Sequence, residues 1–350
     1  MISERKKMKS SSLKGLNKLA AQLFSSTIDQ NRFIDSFLTA KTNPQSDSKA
    51  LIWTKNPPTD ATLLLNPLTP LTDELSSLWQ GCLVWRVAED STPGKLALHE
   101  EGYYYCANLS SILCASILTE VKPNDHSKEL NVIDLCASPG GKSIFASQLL
   151  KPTILVAHEI EQKRVSALIS NLKRCEINNV FVTTGKLSKL TEYFEATADV
   201  IIADAPCSGQ SLILKGLENF SAFHSVTINR NVLRQRSVLA NAATLTTAAG
   251  YIAYMTCTFS IEENEKMISW FLKKFPTFSA IKVDALANYR SELADFPCYR
   301  FFPFDNIGAG GFSCLLKNNE QKEDNSIKDF PYIWQGQGEG KKDETGNSNR

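Results

Sequence analysis

The sequence predicts an α/β protein built on a Rossmann-like, mostly parallel sheet, with a small α+β domain ahead of it. Three observations predict this. From residue 131 onward, short apolar runs of strand length alternate with stretches whose apolar residues recur at helical spacing. The first run, Val132-Ile133-Asp134-Leu135-Cys136, is cut by Pro139-Gly140-Gly141, and a helical pattern starts at Ser143. A strand, a glycine-rich turn and a helix form the first half of a nucleotide-binding βαβ unit. The runs are apolar rather than alternating, as expected of parallel strands buried on both faces.

The chain has 350 residues, enough for one large core or two domains. Hydrophobic residues make up 43% and charged residues 21%, which is ordinary for a globular protein in water. No apolar run is long enough to span a bilayer and no secretory leader pattern opens the chain, so a cytoplasmic protein without membrane contact is expected. The net charge of +1 excludes a polycation, and any nucleic-acid site must be a local patch. The nine cysteines are odd in number, scattered and free of CxxC pairs, which argues against a metal ribbon or a disulfide framework. Cys82, Cys106, Cys114, Cys175, Cys298 and Cys314 read as small buried hydrophobes.

In chain order, residues 1–15 read as a flexible basic arm, with Arg5, Lys6, Lys7, Lys9 and Lys14 among serines. Residues 16–38 carry Leu16, Leu19, Ala20, Leu23, Phe33, Ile34, Phe37 and Leu38 at helical spacing. Residues 42–49 form a polar linker. Residues 50–54 and 83–87 are strand candidates on either side of a proline-rich stretch. Together residues 16–100 read as an α+β domain with a modest core of its own. The second unit, residues 101–317, opens with Tyr103, Tyr104 and Tyr105 and a helical stretch. Its strands are expected at 132–136, 154–157, 180–183, 200–203, 251–255 and 312–316, with helices at 161–174, 230–248 and 262–275. Residues 318–350 are polar and mostly disordered by composition, except for one apolar island at 330–334 that is expected to dock onto the body.

In a doubly wound sheet, ligands collect at the carboxyl ends of the strands. Four features fall at such ends. Cys136, Ala137, Ser138, Pro139, Gly140, Gly141 and Lys142 follow the first strand. Glu159 closes the second, where an acid can hydrogen-bond a ribose. Asp204-Ala205-Pro206-Cys207-Ser208-Gly209 follows the fourth, and Thr256-Cys257-Thr258 the fifth. Any one of these fits a turn or an inert thiol. Four together point to a site with a nucleoside-binding loop, an acid and two thiols.

These segments resemble the Sun (Fmu) family of RNA cytosine-5 methyltransferases, particularly its bacterial branch acting on small-subunit ribosomal RNA. DLCASPGGKS looks like the family's first motif, DAPCSG its fourth and YMTCTFSIEENE its sixth. EGYYYCANLSSIL, NLKRCEINNV and RFFPFDNIGAGGFSCLL are similar to its flanking segments, so the resemblance covers about residues 101–317. It implies S-adenosyl-L-methionine as cofactor and RNA as partner, ribosomal RNA first and transfer RNA second, with the enzyme a monomer. It implies Cys257 as the nucleophile, Cys207 as the cysteine assisting release, and Asp204 as the acid beside cofactor and target base. Glu159 would hold the cofactor ribose, and the loop from Cys136 to Lys142 would surround the cofactor, with Lys142 also facing the cytosine. Residues 16–100 would contact RNA.

The chemistry agrees with those residue types. C5 of cytosine is a poor nucleophile until a thiolate adds at C6 and turns C5 into an enamine carbon. A proton or hydrogen bond at N3 stabilises the charge so created, and a carboxyl group held neutral can supply it. The thiol must then be expelled, which gives a second group work. Two departures from the family pattern stand out. Lys186 occupies the place after the third strand where an acid usually meets the adenine, and Leu214-Lys215-Gly216 replaces an Arg-Lys-Asp type run. A non-catalytic RNA-binding assembly factor on the same fold is the alternative from another class, although binding alone needs neither thiol. A nicotinamide dehydrogenase fits poorly, because the turn is PGGK and not GxGxxG. A DNA cytosine methyltransferase would put its main thiol at Pro206-Cys207, and Cys257 argues for RNA.

Overall fold

The computed structural model describes residues 10–39, 48–65, 79, 82–88, 91–122, 130–217, 219–320 and 325–336. Twelve strands are found among them: β1 Lys49–Trp53, β2 Val84–Arg86, β3 Tyr104–Asn108, β4 Asn131–Asp134, β5 Ile154–Glu159, β6 Val180–Thr184, β7 Ala198–Asp204, β8 Thr246–Thr256, β9 Phe278–Ile281, β10 Tyr299–Phe301, β11 Gly311–Asn318 and β12 Trp334–Gln335. The large sheet runs β10-β11-β8-β7-β4-β5-β6-β12, with β9 joining β11. Its middle, from β8 to β6, is parallel, while β9, β10, β11 and β12 run antiparallel to their neighbours.

Both faces of this sheet are covered, which is why its strands are apolar throughout. Along β7, Val200 and Ile202 join one core and Ile201 and Ala203 the other. The first core is completed by the helices Leu109–Ala115, Gly141–Leu150 and Gln162–Arg174, the second by Leu187–Phe194, Ser225–Leu245 and Glu265–Lys274. In Gln162–Arg174 the core positions Val165, Leu168 and Leu172 recur at three and four residues, the spacing of one helix face. Chain order reverses between β4 and β7, which opens a crevice at their carboxyl ends.

The N-terminal part departs from the expected self-contained domain. The small sheet, β2-β1-β3, takes its third strand from residues 104–108, beyond the boundary expected at residue 100. The periodic stretch from Leu16 to Leu38 is two helices, Ser10–Leu23 and Thr27–Leu38, because Ser26 turns the chain and its hydroxyl caps the second through the Asp29 N–H at 3.5 Å. Residues 10–15 of the expected arm belong to the first helix; Arg5, Lys6, Lys7 and Lys9 lie outside the described residues. Leu16, Leu19, Phe33 and Phe37 pack against Leu214, Phe223 and Phe259, so these helices lean on the loops that follow β7 and β8.

Within residues 318–350, the apolar island docks. Trp334 and Gln335 pair with Val182 and Phe181 along the outer edge of β6, and Phe330 packs on Phe181 and Phe194. The island thereby covers an edge whose peptide groups would otherwise face solvent. Residues 321–324 and 337–350 lie outside the described ones.

Candidate active site

The loop after β4 is shaped by a web of local bonds. Buried Asp134 receives the Cys136 N–H at 3.2 Å and the Ser143 hydroxyl at 2.7 Å, tying the strand end to the helix that follows. The Ala137 N–H donates to the His158 carbonyl at 2.9 Å, and Asn171 Nδ2 to the Pro139 carbonyl at 2.9 Å. Gly140 has φ +114, and a Cβ on Gly141 would meet the Tyr105 ring at 2.8 Å. Glycine is required at the first by backbone conformation and at the second by close approach.

Glu159 ends β5 and is 2% exposed. Its Oε1 accepts the Glu161 N–H at 2.9 Å. Its Oε2 stands 3.3 Å from Arg164 Nη1 yet accepts no well-aligned hydrogen bond, which leaves a buried carboxylate oxygen with spare capacity. Such an atom asks for a donor, and a ribose hydroxyl is one. Arg164 is the link between the two halves of this region. It donates to the Ser138 carbonyl, while its own carbonyl accepts the Ser138 hydroxyl at 2.9 Å. Lys186, at the place where the family pattern has an adenine-binding acid, is exposed at the start of its helix.

A cavity of about 390 Å³ opens at the ends of β4, β7 and β8. Cys136, Lys142, Asp204 and Cys257 line it, together with Ser111 and Lys215. Glu159 and Cys207 are not among its lining residues; Cys207 enters the site through its contact with Cys257. Lys142 Nζ donates to Asp204 Oδ2 at 2.7 Å and to the Ser111 hydroxyl at 3.0 Å. Burial pushes the Lys142 ammonium pKa down, but the neighbouring Asp204 carboxylate pulls it up further, and the net direction is up.

The two thiols face each other, with Cys207 Sγ 3.2 Å from Cys257 Sγ. The pairing lowers the pKa of Cys257 against the opposing effects of burial and of Asp204, with Lys215 and Lys142 adding attraction. The same pairing, then burial, raises the pKa of Cys207. The direction at Cys257 is towards the thiolate and at Cys207 towards the thiol. The remaining cysteines behave differently. Burial raises Cys136 well above the ordinary thiol value, and Cys114 to about 12. Cys106, read as a packing residue, is only half-buried and lines the cavity, but burial still raises it to about 11.

Ser111, Tyr105, Arg164 and Lys215 do not stand out as site residues in the sequence. Ser111 and Tyr105 lie in the family-like segment EGYYYCANLSSIL, but their place in the site is revealed by three-dimensional contact. A serine, a tyrosine and two surface-type cations carry no local pattern of their own.

The large sheet, with its ligand crevice at the β4–β7 reversal, is that of the Rossmann-like methyltransferases. The crystal structure of NSun6 from Pyrococcus horikoshii superimposes with a TM-score of 0.66 at 18% identity, over 88% of this chain and 98% of that one. The chain belongs to the 16S rRNA methyltransferase RsmB/F family, whose model matches residues 118–317. Ribosomal RNA small subunit methyltransferase F of Klebsiella pneumoniae (strain 342) is 31% identical over 225 residues, 62% of this chain and 44% of the relative. The 26S rRNA (cytosine-C(5))-methyltransferase nsun-1 of Caenorhabditis elegans is 30% identical over 228 residues, 62% of this chain and 32% of the relative. The chain spans less than half the length of either relative.

Proposed function

We propose that this chain is an RNA cytosine-C5 methyltransferase, with ribosomal RNA as its first substrate class and transfer RNA as the second. The observation that carries the reading is the pair of thiols 3.2 Å apart beside the Lys142–Asp204 ion pair. Packing alone gives no reason for two thiols on separate loops to meet, with Cys257 lining the cavity beside that ion pair. The cofactor reading rests on Glu159 Oε2, a buried oxygen at the end of β5 with no aligned hydrogen bond, and on the 136–142 loop, which lines the cavity through all its residues but Gly140. Both suit S-adenosyl-L-methionine, which when bound supplies an electrophilic methyl group.

The chain's own residues do the rest. The Cys257 thiolate adds to C6 of the cytosine, forming an S–C6 bond and driving electron density from the C5–C6 double bond towards N3 and O2. We assign the proton or hydrogen bond at N3 to the Lys142 ammonium, which Asp204 grips at 2.7 Å. Asp204 thus orients the donor instead of serving as a neutral acid. Once C5 carries the methyl, the C5 proton passes to solvent water, its C–H electron pair re-forms the C5–C6 double bond, and the S–C6 bond breaks to return the Cys257 thiolate. Cys207, within hydrogen-bond reach of the departing sulfur, assists that release.

The exposed Lys14 and Lys18 on the first helix suit an RNA-contacting role for the N-terminal part. No helix among the described residues is long and apolar enough to cross a membrane. We place the protein in the cytoplasm as a monomer. The test is bisulfite sequencing of total RNA from cells with and without the gene, repeated with Cys257→Ala. One or more cytosines should lose protection in both altered strains. Unchanged protection, with RNA still bound by the purified protein, would favour a non-catalytic assembly factor.

A further inference from the structure

The two cysteines sit on separate loops, Cys207 after β7 and Cys257 after β8, and no covalent link fixes their separation. One tie is peripheral: the Ser211 N–H and hydroxyl both donate to the Cys257 carbonyl, at 3.1 and 3.0 Å. A second joins the Phe259 N–H to Gln210 Oε1 at 3.0 Å, and a larger group converges on Glu263, whose side chain is wholly buried. Its Oε1 accepts the Ser208 N–H at 2.8 Å and Gln235 Nε2 at 3.0 Å. Its Oε2 accepts the Ser208 hydroxyl at 2.5 Å, with Thr258 Oγ1 at 3.4 Å. The Ser208 and Thr258 hydroxyls lie 2.7 Å from each other, and the Gln235 amide also donates to the Pro206 carbonyl at 3.0 Å. Pro206, Ser208 and Thr258 are the immediate neighbours of the two cysteines, so a single carboxylate gathers both loops.

We propose that Glu263 is a positioning residue that sets the Cys207–Cys257 separation, and through it the reactivity of Cys257 and its release from the base. The proposal deepens the assignment of the two thiols above and rests on it. A main-chain N–H and a side-chain amide meet the same oxygen; the first can never accept, and turning the second over would break its bond to the Pro206 carbonyl. An acceptor-only carboxylate satisfies them. Glu263→Gln can keep a carbonyl on these two donors, but its NH2 then faces the Ser208 and Thr258 hydroxyls, and the 2.5 Å charge-assisted bond from Ser208 is replaced by a neutral N–H···O of about 2.9 Å. The loops then part, and the Cys207 thiol loses its grip on Cys257.

The experiment is the pH dependence of Cys257 alkylation by iodoacetamide, read by peptide mass spectrometry on the full chain without RNA or cofactor. Cys207, Asp204, Lys142 and Lys215 face Cys257, and Glu263→Gln leaves all four in place. The alkylation midpoint should rise by about one pH unit as one hydrogen bond to the thiolate is lost. Cys207→Ala should raise it similarly, and the double variant should add little more. In methylation assays Glu263→Gln should lower kcat at least about tenfold at unchanged KM for RNA, with covalent protein–RNA adduct accumulating. A residue that only supports the fold would lower the unfolding temperature and leave the alkylation midpoint where it was, and that result overturns the proposal. Should Glu263→Gln fail to fold, Ser208→Ala removes a single hydroxyl donor and must still raise the midpoint; no rise overturns it equally. A raised midpoint in a chain that methylates nothing would support the positioning role and sink the proposed function.

Discussion

Replacing Glu159 with alanine tests how the cofactor is held. One carboxylate oxygen is engaged by the Glu161 N–H at 2.9 Å, and the other has no aligned donor. The ribose reading therefore rests on Oε2, which has Arg164 Nη1 at 3.3 Å but no aligned hydrogen bond. A hydrogen bond to a charged group contributes about 1.5–3 kcal/mol, which corresponds to a loss of about 10–150-fold in affinity for S-adenosylmethionine. Glu159→Gln keeps a carbonyl for the Glu161 N–H and an amide towards the ligand, so it should lose only about 2–13-fold, the range of a neutral bond of about 0.5–1.5 kcal/mol. Titration calorimetry of the three proteins under one set of conditions gives the numbers, with circular dichroism confirming the fold. An alanine variant within about twofold of wild type would refute the assignment of the ribose to this strand end.

Further outcomes follow from other parts of the structure. Glu265 and Arg300 are each 3% exposed and paired in bidentate fashion, with Arg300 Nη1 also reaching the Phe259 carbonyl at 3.1 Å. Glu265→Ala should cost about 3–5 kcal/mol in urea unfolding, whereas Glu265→Met with Arg300→Leu should recover most of it; a single-variant loss under about 1 kcal/mol would contradict the pairing. Burial raises the Asp134 carboxyl to about 7 from 3.8, so the folded state holds its proton where the unfolded chain has released it. That contribution to stability is complete below about pH 4 and lost as pH rises through about 7, at about 1.4 kcal/mol per unit. Asp134→Asn should therefore be more stable than wild type at pH 8 and lose the advantage by about pH 4; a pH-independent difference would argue against a protonated carboxyl there. If Lys14 and Lys18 meet phosphates, Lys14→Glu with Lys18→Glu should weaken RNA binding and flatten the log–log salt slope by about 0.7–0.9 for each phosphate no longer neutralised. An unaltered slope in filter-binding assays would remove the first helix from the RNA surface.

The parts of the fold legible in the sequence are those where burial alone dictates the residues. β4 to β7 are doubly covered, so runs such as Val200-Ile201-Ile202-Ala203 announce themselves. Only the second half of β8 is legible: the helix expected over 230–248 ends at Leu245, and Thr246, Thr247 and Ala248 belong to the strand, because small residues at a helix end carry no strand pattern of their own. β3 reads as the approach to a helix, since Tyr-Tyr-Cys-Ala-Asn gains strand geometry only by pairing with β1 about fifty residues earlier. Three-residue β10 has too few positions for a period and is held by β11. In the site, the residues at strand ends are visible because the loop, the acid and the thiols are tied to the chain locally. The Ser111–Lys142 bond and the bonds from Ser208 and Gln235 to Glu263 are not, because they join residues 31, 55 and 28 positions apart.

The proposed function gives attack to one of the two sulfurs, 3.2 Å apart, and release to the other. This is tested most directly by incubating Cys207→Ala, Cys257→Ala and the double variant with RNA and S-adenosylmethionine, then running denaturing electrophoresis. Cys207→Ala should transfer the methyl and remain attached to the RNA through Cys257, giving a slow band that the double variant lacks, while Cys257→Ala should give neither methylation nor adduct. An adduct that accumulates with Cys257→Ala would make Cys207 the nucleophile and contradict the account.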